Sequence, residues 1–256
     1  MSYDLQKADI WRRASAFLLD FILATIAITG FLLLLSVITG TDNHYAAYEA
    51  RMEHFSSEYD VDLKEIMAQG TYDSLSDEER AKVDKAWAEF SKDTEAIVSY
   101  NLYVQTIVVN VSLSILLSFL ILEFILPLIF KNGQTVGKKI FGIGVMRVDG
   151  VRINGQILFV RSILGKYTIE TMIPVMMAAW ILTGQAGLMA LIIIALVIIS
   201  NIVMMIATKT NSAIHDMIAN TVTVDMSSQL IFDSPEALLE YKQKVHAEAV
   251  ERSEYR

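Results

Sequence analysis

The chain contains no cysteine, only three prolines and twelve glycines, and four histidines in 256 residues. Without cysteine, disulfides, thiol nucleophiles and cysteine metal sites are excluded. His44, His54 and His246 lie in polar segments, so His215-Asp216 stands as an isolated dyad with no nucleophile in a recognisable setting. The acid run Glu58-Tyr59-Asp60-Val61-Asp62 has no glycine where a calcium loop needs one. Gly133 and Gly137 are not followed by the Lys-Ser/Thr ending of a phosphate loop. An enzyme, a cofactor, a metal and a nucleic-acid partner are therefore not expected.

What is present is apolar sequence in blocks. Hydrophobic residues make up 54% of the chain, and the mean hydropathy is +0.43. Blocks of about 20 apolar residues match the helix length that crosses roughly 30 Å of hydrocarbon. Four are predicted: 14–38, 106–130, 167–183 and 188–208, the third being short and preceded by Arg161 and Lys166. Thr183 to Gly187 reads as a tight turn joining the last two. A cleaved signal peptide is disfavoured for the first block, which is too long, carries Asp20 and lacks a small-x-small site. The fold class is thus an all-α membrane protein with about four transmembrane helices, an extracytoplasmic helical hairpin and a small cytoplasmic β element.

Net charge is −8, but its distribution is more telling than its sum. Lys7, Arg12 and Arg13 precede the first block, and Lys131, Lys138, Lys139, Arg147 and Arg152 follow the second against the single acid Asp149. Residues 41–100 hold fifteen acidic residues and six Lys/Arg. Basic segments stay inside. Residues 1–13, 131–166 and 209–256 are accordingly expected in the cytoplasm and 39–105 outside, in a multi-pass protein of a bacterial cytoplasmic membrane.

The outer segment carries helix signals. Tyr45, Tyr48, Met52, Phe55 and Tyr59 recur at helical spacing, Asp62 and Gly70 bracket a short helix, and Ser76 with Glu79 forms a capping box. Val83, Trp87, Phe90 and Ile97 are expected on one face of a helix running unbroken into the second span. Inside, Gly133 to Gly142 reads as a basic amphipathic helix on the membrane surface. Ile143, Val145 and Val148 alternate, as do Thr221 to Val224, so a small sheet is expected to join them. Ser234-Pro235 opens a solvated tail helix.

Ionisable residues inside spans are costly and mark function or an internal ion pair. Asp20 lies two turns after Arg13, about 10 Å in from the cytoplasmic edge at ~1.5 Å per residue, and Glu123 is about 12 Å from the same edge. Glu170 follows Lys166 by one turn. Three carboxylates from three spans are therefore expected in one layer, with Arg13, Arg161 and Lys166 near them. Such a layer either locks the bundle or exchanges a proton or monovalent cation, because burial and a nearby cation push a carboxyl in opposite directions. Asn110, Ser114 and Ser118 form a stripe that either permits close packing or lines a pathway. Asn201 in the last span needs a partner.

Three strings resemble one family. Arg13-Ala14-Ser15-Ala16-Phe17-Leu18-Leu19-Asp20 looks like the first-helix signature of the RDD family of bacterial membrane proteins. Gly133-Gln134-Thr135-Val136-Gly137-Lys138-Lys139 resembles its GQTxGK element. Ile214-His215-Asp216 through Val224 resembles its closing HDxxAxT segment, and Arg161-Ser162 also fits. The resemblance covers about 1–40 and 105–225 and leaves 41–100 unexplained. It implies a transport role, for a proton-coupled small cation or for an unknown ligand, and it implies that Arg13, Asp20 and Asp216 matter. On this reading Asp20 is the embedded carboxylate, Arg13 its charge partner and Asp216 a cytoplasmic anchor or gate, in a homo-oligomer or with a membrane-protein partner. The rival is a non-transporting protein that docks a partner through its outer hairpin or cytoplasmic loop.

Overall fold

The computed structural model describes residues 4–182, 184 and 187–254. Helix α1 (Ile10–Thr39) ends at Gly40, where φ is 66°, and α2 (Thr41–Glu58) restarts beyond it. Glycine adopts that left-handed conformation at no steric cost, so the chain can break there. Next come α3 (Leu63–Gln69), a 3-10 turn at Thr71–Ser74, and α4 (Asp77–Phe90). Helix α5 (Thr94–Phe119) continues through a π-helical segment, Leu120–Ile125, into α6 (Leu126–Phe130). Then follow α7 (Val136–Ile140), strand β1 (Ile143–Arg147) and α8 (Gly155–Phe159). A longer π-helical segment, Val160–Met172, leads into α9 (Ile173–Leu182). Helices α10 (Leu188–Ala207) and α11 (Ile214–Ile218), strand β2 (Thr221–Asp225) and α12 (Pro235–Glu254) complete the chain.

Among the described residues three helical runs are long and apolar enough to cross a membrane: Ile10–Thr39, Thr94–Phe130 and Leu188–Ala207, with mean hydropathies of 2.7, 2.6 and 2.9. Helix α1 alone measures about 45 Å at 1.5 Å per residue. Its Phe17, Phe21, Ile26 and Leu33 are exposed, as suits a helix whose solvent is lipid. Its Thr25 hydroxyl donates to the Phe21 carbonyl, so that polar group is satisfied within the helix. The expected span 167–183 does not meet the same test. Its helix runs from Gly155 to Leu182, but the π-helical half carries Arg161, Lys166 and Glu170, leaving α9 only ten apolar-rich residues. Of the expected turn, Thr183, Gln185 and Ala186 lie outside the described residues, while Gly184 has φ 69°.

The chain divides into two compact units, Ile28–Ile115 and Met1–Ala27 with Leu116–Arg256. In the first, α2, α3 and α4 close on Met52, Leu63, Val83, Ala86, Phe90 and Ala96, with Tyr48, Phe55 and Tyr59 packed around them. The Phe90 ring lies 5.4 Å from Tyr48 and 5.9 Å from Phe55. Asp62 accepts from the Glu65 amide, and Ser76 with Glu79 makes both bonds of a capping box. The unbroken α4-to-span helix is not observed. The chain breaks at Ser91–Asp93, and the Asp93 carboxylate accepts the Ala96 amide at 2.7 Å, starting α5 afresh. That restart changes the helical phase, so Ile97 is exposed at 44%, and Trp87 at the rim of α4 is exposed at 40%.

In the second unit β1 and β2 pair antiparallel, with Val145 opposite Thr223. Lys7 bridges to Val224 and Val151 to Phe232, so the amino end, the middle loop and the segment before α12 meet on one small sheet. Val145, Met146, Val222 and Val224 are buried there. Phe232, Leu238 and Val151 seat the start of α12, whose first turn is capped by Ser234.

Candidate functional site: a buried charge network

All members of the network lie in the second unit, and each owes its place to a local feature of the chain. Asp20 on α1 meets the start of α7: its carboxylate accepts the Thr135 hydroxyl and, at 2.7 Å, the Gly137 amide. Thr135 is also the N-cap of α7, accepting the Lys138 amide. A Cβ on Gly137 would stand 2.3 Å from the Ala16 carbonyl oxygen, so only glycine allows α1 this close. The GQTxGK string is thus a docking element for α1: threonine caps, glycine admits, and the carboxylate of α1 completes the helix start.

The expected pairing of Arg13 with Asp20 is not found. Two helical turns do bring both to one side of α1, but each has a better partner elsewhere. Arg13 donates to the Asn211 carbonyl at 2.6 Å and lies 3.8 Å from Asp216. Asp20 has no cation within 4.0 Å among the described residues and is held by neutral donors only.

Helix α11 carries His215 and Asp216 against the longer π-helical segment. Gly165 permits the contact, since a Cβ there would meet His215 Cβ at 2.7 Å and Cα at 2.8 Å. Ala213 precedes α11 and has no side-chain oxygen to cap it. Asn201 of α10 supplies one instead, accepting the Ile214 amide at 3.1 Å.

At the centre, Arg161 donates through Nε to Asp216 Oδ1 at 2.9 Å, and the two side chains are 3% and 1% exposed. The Thr221 hydroxyl donates to the same oxygen at 3.1 Å. Burial alone would raise the Asp216 carboxyl, but Arg161 and the other cations around it hold it well below the usual carboxylate range. Arg161 Nη2 also lies 3.1 Å from His215 Nε2. A guanidinium offers no acceptor, so Nε2 must accept and the ring proton sits on Nδ1. Nδ1 then donates to Glu170 at 2.9 Å, and the His215 amide reaches the same carboxylate at 2.8 Å. The imidazole is therefore neutral, and burial pushes its pKa down.

The two π-helical segments face each other. Glu123 pairs with Lys166, and the Ser162 hydroxyl donates to the Glu123 carbonyl at 2.7 Å. A π turn displaces backbone carbonyls from their usual partners, and a neighbouring hydroxyl satisfies this one. Thr168 and Thr171 hydroxyls donate five residues back, to Ile163 and Lys166 carbonyls. The wider turn explains why Lys166 and Glu170, one α-turn apart in sequence, serve different partners. Glu123 Oε2 and Asp216 Oδ2 are buried and accept no hydrogen bond among the described residues.

Asn110 is 1% exposed and donates to the Thr39 and Thr41 hydroxyls at 2.9 and 3.0 Å, fastening α5 to the α1–α2 junction. Ser114 and Ser118 are buried along the same helix, so this stripe presents no open lining. Among the described residues no group of three or more His, Asp and Glu is placed to hold a metal.

Reading the sequence left out several residues that the site uses: Thr135, Gly137, Lys138, Ser162 and His215. The first three stand inside the GQTxGK string and His215 inside the closing string, but the partners of Thr135, Gly137 and His215 lie 45 to 117 residues away.

The RDD family model matches residues 7–220. No curated protein and no solved structure matches the chain.

Proposed function

The chain belongs to the RDD family, and on that premise we propose that this membrane protein moves a small monovalent cation in exchange for protons. The part of helix Gly155–Leu182 from Tyr167 onward counts as a fourth crossing in this reading, which puts both ends and the 131–166 loop in the cytoplasm and 41–100 outside. The charge network then lies at the cytoplasmic side of the bilayer. One observation carries the proposal: Asp20, in the first span, is the intramembrane carboxylate held only by a hydroxyl and an amide. Glu123 has Lys166 and Asp216 has Arg161 as counter-ions. Among the described residues Asp20 has no cation within 4.0 Å. Neutral His215 leaves Glu170 without one too, but the Glu170 oxygens are occupied by the His215 ring and amide. The half-buried and oriented Asp20 carboxylate is therefore the one left to meet an incoming cation.

The test is ion-driven proton flux in proteoliposomes. Asp20→Asn keeps the hydrogen-bonding shape but loses the charge, and flux is expected to fall at least tenfold while abundance and melting behaviour stay near wild type. Unchanged flux in Asp20→Asn, or no flux in the wild type with any alkali cation, would overturn the reading. The rival docking role would then be tested by deleting residues 45–95 and asking whether membrane partners are lost.

A further inference from the structure

We infer that the cavity lined by Lys131 and Arg152 binds the phosphate of an anionic phospholipid, where the Thr94–Phe130 run leaves the hydrocarbon. The inference rests neither on Asp20 nor on the direction in which the chain is inserted.

Three stretches of one compact unit build the site. Helix α6 ends at Phe130, and Lys131, Asn132 and Gly133 follow with φ of 64°, 49° and 58°, so the chain turns sharply. The Asn132 carbonyl accepts the Val145 amide at 2.8 Å, which fixes the turn to β1. A Cβ at Gly133 would lie 2.4 Å from Ile153 Cδ1, so the turn is seated directly against the stretch 152–155. That stretch is anchored in its own right, since the Arg152 amide donates to the Phe232 carbonyl at 2.8 Å. Leu158, 2% exposed at the start of the next helix, also lines the cavity. The space of about 170 Å³ is therefore preformed, and it exceeds the size of a phosphate group.

Both ionisable residues that line the cavity are basic. Arg152 Nη1 meets Asp233 at 2.7 Å, a carboxylate whose side chain is 75% exposed. Asp149, the acid nearest in sequence, is paired with Arg147 at 2.6 Å. Lys131 is exposed and has no carboxylate within 4.0 Å among the described residues. With both acids counted, the charge of Lys131 is left unanswered, and Lys139, over the Phe130 ring at 4.0 Å, adds to the positive field.

The hydrogen-bonding groups agree with the charge. Arg152 Nε is buried with no acceptor among the described residues. A guanidinium holds an oxyanion through two N–H groups of its fork, so a phosphate oxygen beside Nε would satisfy it. The helix that runs on to Leu182 begins at the same cavity. Its Ile157 and Leu158 amides donate to the Asn154 side chain and carbonyl, while the Gly155 and Gln156 amides have no partner among the described residues. Such amides favour an anion. Asn132 Oδ1, also buried, lacks a donor, which a headgroup hydroxyl provides.

The border of the cavity distinguishes a lipid from a free phosphate. Leu128 lines it and is 44% exposed, and Ile129 beside it is 64% exposed, both at the end of a span. Acyl chains can lie along these residues while the phosphate enters beside the cations, as in other basic pockets between membrane helices. A zwitterionic headgroup is disfavoured, because its own cation would face Lys131.

The experiment is native mass spectrometry of the full-length protein in detergent, titrated with phosphatidylglycerol or phosphatidylcholine. The first phosphatidylglycerol is expected to bind about fivefold tighter than phosphatidylcholine. Lys131→Glu should weaken it roughly tenfold, whereas Lys139→Glu, which changes the net charge equally, should weaken it far less. Arg152→Gln should abolish the preference for phosphatidylglycerol. Should Arg152→Gln fail to fold, the exposed Lys131 decides alone. Equal weakening by Lys131→Glu and Lys139→Glu would overturn the inference, since the lipid would then feel only the summed surface charge. Equal binding of the two lipids would overturn it as well. Release of the bound lipid by millimolar inorganic phosphate would overturn the lipid assignment in favour of a free anion. None of these readouts is a flux, so failure at Asp20 and failure at this cavity are separately visible.

Discussion

The two units of this chain treat acidic residues in opposite ways. In Ile28–Ile115 carboxylates start helices and pair at the surface, around a core of Met52, Leu63, Val83 and Phe90. Asp62 and Glu79 cap helices, and Arg51 meets Asp93 through two bonds at 3.1 and 2.6 Å while remaining 29% exposed. In the other unit Glu123 and Asp216 are buried, and among the described residues no large apolar cluster forms around them. The difference lies between the polar helices α2 to α4 and the segments beside the apolar spans, not between whole units, because the runs Ile10–Thr39 and Thr94–Phe130 each extend through both. Where water surrounds an element, apolar burial drives packing and charges are peripheral. Where lipid surrounds it, apolar side chains gain nothing by turning inward, and polar groups and small residues join the helices.

Two arginine–aspartate pairs turn that contrast into the largest expected effect. Arg161→Ala strips Asp216 of its main counter-ion at 1% exposure, and breaking such a buried pair costs about 3–5 kcal/mol. Membrane abundance and the detergent melting midpoint should both collapse. Arg51→Ala removes an equally well-formed pair that water can replace, so its loss should be several-fold smaller. Equal losses would show that burial does not separate the two units. The double variant Arg161→Ala/Asp216→Ala should recover part of the single-variant loss, because no buried charge is then left alone.

A smaller effect compares two glycines. Gly165 sits where α11 touches the π-helical segment, and an added methyl would lie 2.7 Å from His215 Cβ. Gly165→Ala should cost about 1–3 kcal/mol as overpacking, together with loosened His215–Glu170 contact. Gly30 of α1 has nothing within 4 Å of such a methyl. Gly30→Ala should be neutral or mildly stabilising, since alanine is the better helix former. Paired thermal melts of the two variants check both directions. A tolerated Gly165→Ala would mean that α11 is not packed as tightly as the network needs.

Much of the architecture could be read from residue order, and the failures share one cause. Apolar blocks placed α1, the Thr94–Phe130 run and α10, and alternation placed both strands of the sheet. Ser76-x-x-Glu79 and Asp62 announced their helix starts. Matching depths puts Asp20, Glu123 and Glu170 in one layer, whereas in the structure Asp20 meets Thr135 and Gly137, Glu123 meets Lys166, and Glu170 meets His215. Depth and facing follow from sequence spacing only at 3.6 residues per turn, whereas Leu120–Ile125 and Val160–Met172 are π-helical. No periodicity of apolar residues marks that change, so Lys166 and Glu170 could not be sorted between Glu123 and His215. Arg13 and Asp20 were matched within one helix, although Asn211, Asp216 and Thr135 lie more than a hundred residues along the chain. The restart of α5 is hidden in the sequence for a different reason. Asp93 was present as a start signal, but an apolar stripe on either side of it suggested one continuous helix.

The gentlest probe of the contrast is acid, which should reach the two units in a definite order. Burial depresses His215, so its folded pKa lies below the ordinary value of about 6.5. The unfolded chain then takes the proton first, and the stabilisation present above pH 6.5 is lost as pH falls through and below that value. The bond to Arg51, followed by the Ala96 amide, depresses Asp93 below the ordinary aspartate value of about 3.9. Its contribution is present above that pH and is lost only as pH falls beneath it. Hydrogen exchange at pH 7.5, 5.5 and 3.5, corrected for intrinsic rates, can follow both units in one sample. Peptides covering 155–172 and 214–220 should loosen between the first two conditions, while those covering 77–100 should hold until the third. The reverse order would mean that the buried network is no more sensitive to protons than a surface pair, and the distinction between the two units would fail at its electrostatic root.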